Sequence, residues 1–269
     1  MADLNIATVM SLSGRVGLVT GGGTGIGFMI AKTFAANGAK VYITGRRSDV
    51  LEKAAATVTG VSGSIVPLRM DVTNEEDVKA GAKHIEEVDG KLDVLVNNAG
   101  YAGARDQSGS HDQDFTAKKY AAEDPFEPET VQNWADLFSL NTIAPFFVAR
   151  QASSTSPALR SLGSIWVAYC VTKAALDKLT LVLATSFARR GIPIQVNSLR
   201  PAIFASEMMP PDLLEVTKTQ GLPGQVAPIP AGRGGSEAEM GMTALYLAVS
   251  DYTNGAVLSV DSGLSLVNP

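Results

Sequence analysis

The stretch Thr20-Gly21-Gly22-Gly23-Thr24-Gly25-Ile26-Gly27 decides how the rest of the chain is read. It follows an apolar, β-rich run, Arg15–Thr20 (RVGLVT), and opens a helix-like stretch, Gly25–Asn37, with Gly38 as its stop. Glycine meets three needs at such a junction: a tight turn, close backbone approach to a pyrophosphate, and tight packing of helix on strand. The free N–H groups and positive dipole end of the helix then face the phosphates. A glycine cluster alone fits an ordinary structural turn equally well. Its position between a strand and a helix favours nucleotide binding, with Thr20, Gly21, Gly23, Thr24, Gly25, Ile26 and Gly27 as the candidate residues. The spacing is T-G-x-x-x-G-x-G rather than G-x-G-x-x-G.

Outward from the turn, short apolar runs alternate with amphipathic segments. Val41–Thr44 reads as a second strand, Asp49–Thr57 as a helix, Ser64–Met70 as a third strand, Asn74–Val88 as a helix and Leu92–Asn97 as a fourth strand. This alternation predicts an α/β fold whose parallel sheet is covered by helices on both faces. The second half is less regular. Residues 101–128 are polar and long for a loop. Helices are expected over Glu129–Arg150, Ala168–Arg190 and Glu237–Val249, and strands over Ile192–Leu199 and Val257–Asp261. Prolines and glycines across 207–235 read as a flap over the substrate. No linker or repeat divides residues 1–269, so one domain is expected.

Composition removes whole classes of chemistry. The chain has two histidines, His84 and His111, and one cysteine, Cys170. That rules out an internal disulfide and a Cys/His zinc site. A carboxylate-only metal site stays open, but the obvious chemistry comes from other side chains and no metal is expected. A Ser-His-Asp hydrolase would have to use one of two histidines in strongly polar, charged surroundings. A net charge of −5 argues against nucleic acid, which needs clustered Lys and Arg. The first residues, MADLNIATVM, lack a secretory apolar core. The Ile143–Ala149 run is about a third of the ~20 apolar residues a membrane span requires. A cytoplasmic protein is expected.

Two further motifs follow the glycine turn: Asn97-Asn98-Ala99-Gly100, and Tyr169-Cys170-Val171-Thr172-Lys173. With T-G-x-x-x-G-x-G, these N-N-A-G and Y-x-x-x-K motifs make the sequence resemble the short-chain dehydrogenase/reductase family from about Leu12 to Val267. Within it the chain looks nearest to fungal reductases of the 3-oxoacyl-carrier-protein reductase type. The resemblance implies a single doubly wound Rossmann domain, a dimer or tetramer built on the Tyr169 helix, and a nicotinamide cofactor. It also implies reduction of a ketone to a secondary alcohol, or the reverse. By the same resemblance Asp71 and Val72 face the adenine, and Asn97, Asn98, Ala99 and Gly100 lie along the nicotinamide ribose. Pro201, Ile203 and Ser206 flank the nicotinamide amide, in a segment where Ala202 replaces the family's glycine.

The cofactor's identity is read about twenty residues past the glycines, where an acid selects NAD and an Arg accommodates the 2′-phosphate of NADP. Here the strand ends Ile43-Thr44-Gly45-Arg46-Arg47, with two guanidiniums and no acid. Arg donates to phosphate in bidentate fashion, so NADP(H) is expected. The alternative is that Arg46 and Arg47 are a solvated helix lead-in. A proton must also reach the developing alkoxide. Tyr169 qualifies if the Lys173 ammonium, four residues on and on the same helix face, lowers its pKa from ~10. By resemblance Lys173 also holds the nicotinamide ribose, and Asn141 organises a proton-relay water. Met208, Met209, Leu213, Leu214 and Leu222 suit an apolar or polyketide-like ketone, although such residues more often simply pack.

One catalytic position departs from the family. Its serine should end a central strand between Asn141 and Tyr169, yet only Thr142–Ala152 separate Asn141 from the cluster Ser153-Ser154-Thr155-Ser156. The rest of a helix and a strand of five or six residues cannot both fit there. Two alignments stay open. In one, Ser154, ahead of Ser156, is the catalytic serine and the strand is missing. In the other, Gly163–Ala168 is the strand and the serine-bearing loop is missing, which avoids unpairing two neighbouring strands. The shortening also motivates an alternative function: a nucleotide-binding scaffold or a repurposed non-redox catalyst.

Overall fold

Alternation along three strands divides the interior in two. The structure, a computed structural model, describes residues 4–101, 131–152, 167–219 and 227–267. Strands β1 (Val16–Thr20), β2 (Lys40–Gly45), β3 (Ser64–Arg69) and β4 (Val94–Val96) form a parallel sheet in the order β3-β2-β1-β4. Val19, Val41, Ile43, Val94 and Val96 point to one core, and Val16, Leu18, Tyr42 and Leu95 to the other. This period of two is what a sheet buried on both faces requires. β3 is the edge strand, where Pro67 can sit without breaking a central ladder.

Parallel strands need crossovers, and three helices supply them: α2 (Gly25–Ala36), α3 (Ser48–Ala56) and α4 (Glu75–Asp89). α1 (Ile6–Val9) is a single turn ahead of β1. α2 packs against α9 (Glu237–Val249) on the first face, where Ile30 and Phe34 meet Met240 and Leu247. The second face is covered by α4, α6 (Ala144–Ala152) and α7 (Val167–Arg189), through Ile85, Val148 and Phe187. Two more parallel strands, β5 (Ser198–Pro201) and β6 (Val257–Val260), pair with each other and share both cores, Leu199 in the first and Val196 just before β5 in the second. This is the expected Rossmann architecture.

Several boundaries differ from the sequence reading. The helix expected over Glu129–Arg150 is α5 (Val131–Phe138), a π turn at Ser139–Ile143, and then α6. The strand expected over Ile192–Leu199 starts only at Ser198, because the Val196 N–H donates to the Asn254 side chain and Asn197 spends its amide on Thr253 and Ala256. Within 207–235 lies α8 (Pro211–Thr219), with proline at its first position. α10 (Leu264–Val267) ends the described chain. Val167 and Ala168 are helical, so the strand that the second alignment sets over Gly163–Ala168 does not include them; Gly163–Trp166 lie outside the described residues. Most of 101–128 lies outside them too, as does His111.

The strand order reverses between β1 and β4, since β2 and β3 lie on one side of β1 and β4 on the other. Ligands of open α/β sheets bind at the carboxyl ends of the strands flanking such a switch point. Here those ends carry Thr20–Gly27 and Asn97–Gly100.

Candidate active site

The glycine turn and the N-N-A-G segment form one unit. The Thr20 hydroxyl accepts from the backbone N–H groups of Asn98 and Ala99, both at 3.1 Å. Asn98 Nδ2 returns two bonds, to the carbonyls of Thr20 (2.9 Å) and Gly21 (3.2 Å). The Asn98 side chain is therefore spent on shaping the turn. Gly21 and Gly25 adopt φ of +62° and +52°, a region that strains any other residue. At Gly27 a side chain has no room: a Cβ would fall 2.4 Å from Asn98 Nδ2 and 2.5 Å from the Gly21 carbonyl.

The first turn of α2 is left open. α4 is capped by Asn74 and α9 by a reciprocal Ser236–Glu239 capping box, whereas Thr24 makes no side-chain capping bond to α2. Orphan N–H groups at a helix start are the natural partners of an anion. The donor set at this turn thus fits a pyrophosphate.

A second group converges at the end of β4. A Cβ on Gly100 would lie 2.9 Å from Asn141 Oδ1 and 3.5 Å from Lys173 Nζ, so three expected site residues meet at one point. Asn141 is fully buried in the π turn, a helix irregularity that often marks functional sites. Its side chain exchanges two hydrogen bonds with the Tyr101 backbone, and its Nδ2 also donates to the Thr172 hydroxyl at 3.3 Å. Burial pushes the Lys173 ammonium down to a pKa of about 8, against the upward pull of Asp177 one turn further along α7. Asp177 is itself held by the Ser198 hydroxyl (2.9 Å) and by Arg200 (2.7 and 3.0 Å). Tyr169 lies in the first turn of α7, one turn before Lys173. Ser154 and Ser156 lie outside the described residues.

The remaining positions sort differently. Arg46 and Arg47 are exposed at the end of β2, and Arg47 Nη2 contacts both carboxylate oxygens of Glu207, at 3.0 and 3.3 Å. Sequence reasoning missed Glu207, since nothing in the chain's order relates positions 160 residues apart. Burial opposes the Asp71 charge, but hydrogen bonds from Thr73 and the charges of Arg46 and Arg69 hold its pKa below the usual range. Val72 is buried in the second core. Asn97 is buried as well, its amide 3.5 Å from the Pro145 carbonyl. Pro201 closes β5, and Ile203 buries its side chain with Leu213, Ile229 and Leu264. Ala202 needs no glycine: among the described residues the positive-φ non-glycine is Ser262. Met209 and Leu214 pack on the same small core as Leu213, Met208 is partly exposed, and Leu222 lies outside the described residues. Among the described residues, no three His, Cys, Asp or Glu side chains come together in a metal-binding group, and no helix is long and apolar enough to cross a membrane.

A doubly wound sheet with an open helix start at its switch point defines a nucleotide-binding α/β protein. The family model for short chain dehydrogenases matches residues 15–214, and the chain belongs to that family, whose oxidoreductases use NAD(H) or NADP(H). Among its relatives, the short-chain dehydrogenase/reductase VdtF of Byssochlamys spectabilis is 32% identical, over 97% of this chain and 95% of the other. That alignment spans 301 positions, more than the 269 residues here, so the relative carries segments this chain lacks. The gluconate 5-dehydrogenase of Gluconobacter oxydans is 32% identical, over 96% and 97%. The rhamnolipid-biosynthesis 3-oxoacyl-[acyl-carrier-protein] reductase of Pseudomonas aeruginosa is 32% identical, over 95% and 98%. A solved Pseudomonas aeruginosa RhlG/NADP active-site complex superposes with a TM-score of 0.77 at 28% identity, over 95% of this chain and 98% of that one.

Proposed function

We propose that this chain is an NADP(H)-dependent carbonyl reductase or alcohol dehydrogenase, a single-domain enzyme that interconverts a ketone and a secondary alcohol. The observation that carries the reading is the meeting of Gly100, Asn141 and Lys173 at the switch point, one helical turn from Tyr169. Thr20, Gly21, Gly23, Thr24, Gly25, Ile26 and Gly27 would hold the pyrophosphate, with Asp71 and Val72 at the adenine. Asn98, Ala99 and Gly100 would line the nicotinamide ribose, and Pro201, Ile203 and Ser206 its amide. Arg46 and Arg47 would take the 2′-phosphate. That β2 ends in two exposed arginines without an acid supports NADP(H) over NAD(H).

The chemistry the nicotinamide supplies when bound is hydride donation to the carbonyl carbon. The chain's own task is the proton. Tyr169 gives its hydroxyl proton to the substrate oxygen, which becomes the alcohol, and the tyrosinate left behind is stabilised by the Lys173 ammonium. Asn141 positions the relay that returns a proton to Tyr169. Ser154 holds the substrate oxygen by a hydrogen bond. Tyr169→Phe should abolish NADPH oxidation with a ketone while leaving NADPH binding intact; unchanged turnover refutes the assignment.

One observation favours a second reading, a nucleotide-binding scaffold without the redox step. Only residues 153–166 separate α6 from α7, and they must supply both a strand and a substrate-holding serine. A broad carbonyl panel decides: a scaffold binds NADPH without consuming it. Ile143 just before α6, Phe146 within it, and Val171, Leu181 and Val182 on α7 are exposed apolar residues, which supports a homo-oligomer; a cytoplasmic location is proposed alongside. Size-exclusion chromatography checks the assembly.

A further inference from the structure

Arg47 is not waiting empty-handed at the end of β2. Its Nη2 lies 3.0 and 3.3 Å from the two carboxylate oxygens of Glu207, and both side chains are about half exposed, at 51% and 41%. Glu207 does not reach Arg47 from a loose tail. It stands in a tight turn whose base is closed by reciprocal backbone bonds between Ser206 and Met209, each 3.1 Å, and by a third from the Met209 N–H to the Ser206 hydroxyl. The turn is seated on the start of α2, where a Cβ on Gly25 would come within 2.9 Å of the Ser206 Cβ. The carboxylate is thus presented, by a pinned turn resting on the glycine loop, to the guanidinium that marks the adenosine end of the cleft.

A carboxylate and a ribose 2′-phosphate make the same demand on a guanidinium, two oxygens facing one fork. Arg47 cannot give its Nη2 fully to both, and the two anions repel each other if they share it. A ribose with a free 2′-hydroxyl makes no such demand and leaves the pair standing. We infer that Glu207 is a specificity-determining residue, an internal competitor for Arg47 that selectively weakens binding of 2′-phosphorylated nucleotides. The inference rests on the NADP(H) reading above. It gives the pair a consequence beyond affinity. Binding of the phosphorylated cofactor parts the end of β2 from the turn that leads into α8, whereas the unphosphorylated cofactor leaves the two strapped together.

Calorimetric titration of the purified protein with NADP+, NAD+ and 2′,5′-ADP tests this, using Glu207→Gln, Arg47→Ala and the double variant. Glu207→Gln should tighten NADP+ and 2′,5′-ADP roughly two- to fivefold, the size expected for removing an exposed pair, with NAD+ unchanged. Arg47→Ala should weaken the two phosphorylated ligands and cancel the gain from Glu207→Gln. If Arg47→Ala weakens NADP+ but Glu207→Gln leaves it unchanged or weaker, the competition is overturned and the NADP(H) reading stands. If the gain survives in the double variant, or extends equally to NAD+, Glu207 acts only as a general negative charge and the inference fails. If the protein binds NAD+ and NADP+ alike and Arg47→Ala alters neither, the underlying cofactor reading fails. Both side chains are exposed, and a melting curve for each variant confirms that it is folded.

Discussion

Asn141 binds Tyr101 as one strand binds another: its Nδ2 donates to the Tyr101 carbonyl at 3.1 Å, and its Oδ1 accepts from the Tyr101 N–H at 3.2 Å. The side chain thereby fixes the backbone just past the N-N-A-G segment. Because Asn141 is fully buried, its removal leaves groups that water does not readily reach. At about 1–3 kcal/mol for a buried group left unpaired, Asn141→Ala should lower stability by about 2–4 kcal/mol. Asn141→Asp keeps the acceptor but sets a buried carboxylate against the Tyr101 carbonyl, so at neutral pH it should be destabilised at least as much as the alanine variant. Thermal melts followed by circular dichroism check the order, and an alanine variant as stable as the native chain would disprove it.

Gly27 is the tightest point of the glycine turn. A methyl group there meets Asn98 Nδ2 and the Gly21 carbonyl, both well inside contact distance. Gly27→Ala should cost about 1–3 kcal/mol and displace the Asn98 amide from the turn. Nucleotide binding should fall at least about tenfold, the equivalent of 1.4 kcal/mol. Denaturant titration and NADP+ titration measure the two effects separately.

Lys173 makes the chain's stability depend on alkaline pH in a defined direction. Its folded pKa, about 8, lies below the 10.5 of a free lysine. Between those values the unfolded chain holds a proton that the folded chain has released, so this group adds stability as pH rises from about 8 towards 10.5. Below pH 8 the folded protein carries a desolvated ammonium. Lys173→Met should therefore stabilise the nucleotide-free protein at pH 7, by on the order of 1–3 kcal/mol, while abolishing turnover. The difference between the two proteins should shrink as pH climbs through that window. Parallel denaturation curves across the range would expose a constant difference.

Asp177 is the group that keeps Lys173 from falling further. Asp177→Asn removes that pull and should move the alkaline limb of the kcat profile to lower pH. Its bonds to Ser198 and Arg200 mean that stability must be measured alongside. A limb that stays in place shows that the two charges are not coupled in the working enzyme.

The serines can be separated by substitution. Ser154→Ala should reduce kcat by about 10²-fold, the usual effect of losing a hydrogen-bond donor to the reacting oxygen, whereas Ser156→Ala should change it little. Steady-state kinetics with one ketone is sufficient. The reverse order would exchange the two roles.

The first half of the fold was legible because its signals are local. Alternating Val, Leu and Tyr residues, the glycine turn and the stops between elements each act within a few positions, and strands β1 to β4 lie where those signals put them. The site was legible as far as motifs carry it: Gly100, Asn141 and Lys173 do converge. Where tertiary partners decide, local signals do not reach. β5 starts late because side chains from 254 and 197 take over its backbone bonds. Met209, Leu213 and Leu214, which fit either a substrate lining or plain packing, join one small core with Ile203, Ile229 and Leu264. The bonds from the Asn98 amide to the glycine turn are invisible in the sequence, and Glu207 could be found only by seeing which cation it meets.

The bonds between Thr20 and Asn98 have a consequence for how such a protein can change. The glycine loop takes its shape from the segment just past β4, 78 residues beyond Thr20, so neither segment can drift without the other. The Arg47 and Glu207 side chains make none of those bonds; they meet each other, half exposed, at the rim. If Arg47 takes the 2′-phosphate as proposed, nucleotide preference sits in a replaceable rim on a fixed chassis. One or two surface substitutions should then re-select the cofactor and leave the bonds beneath untouched.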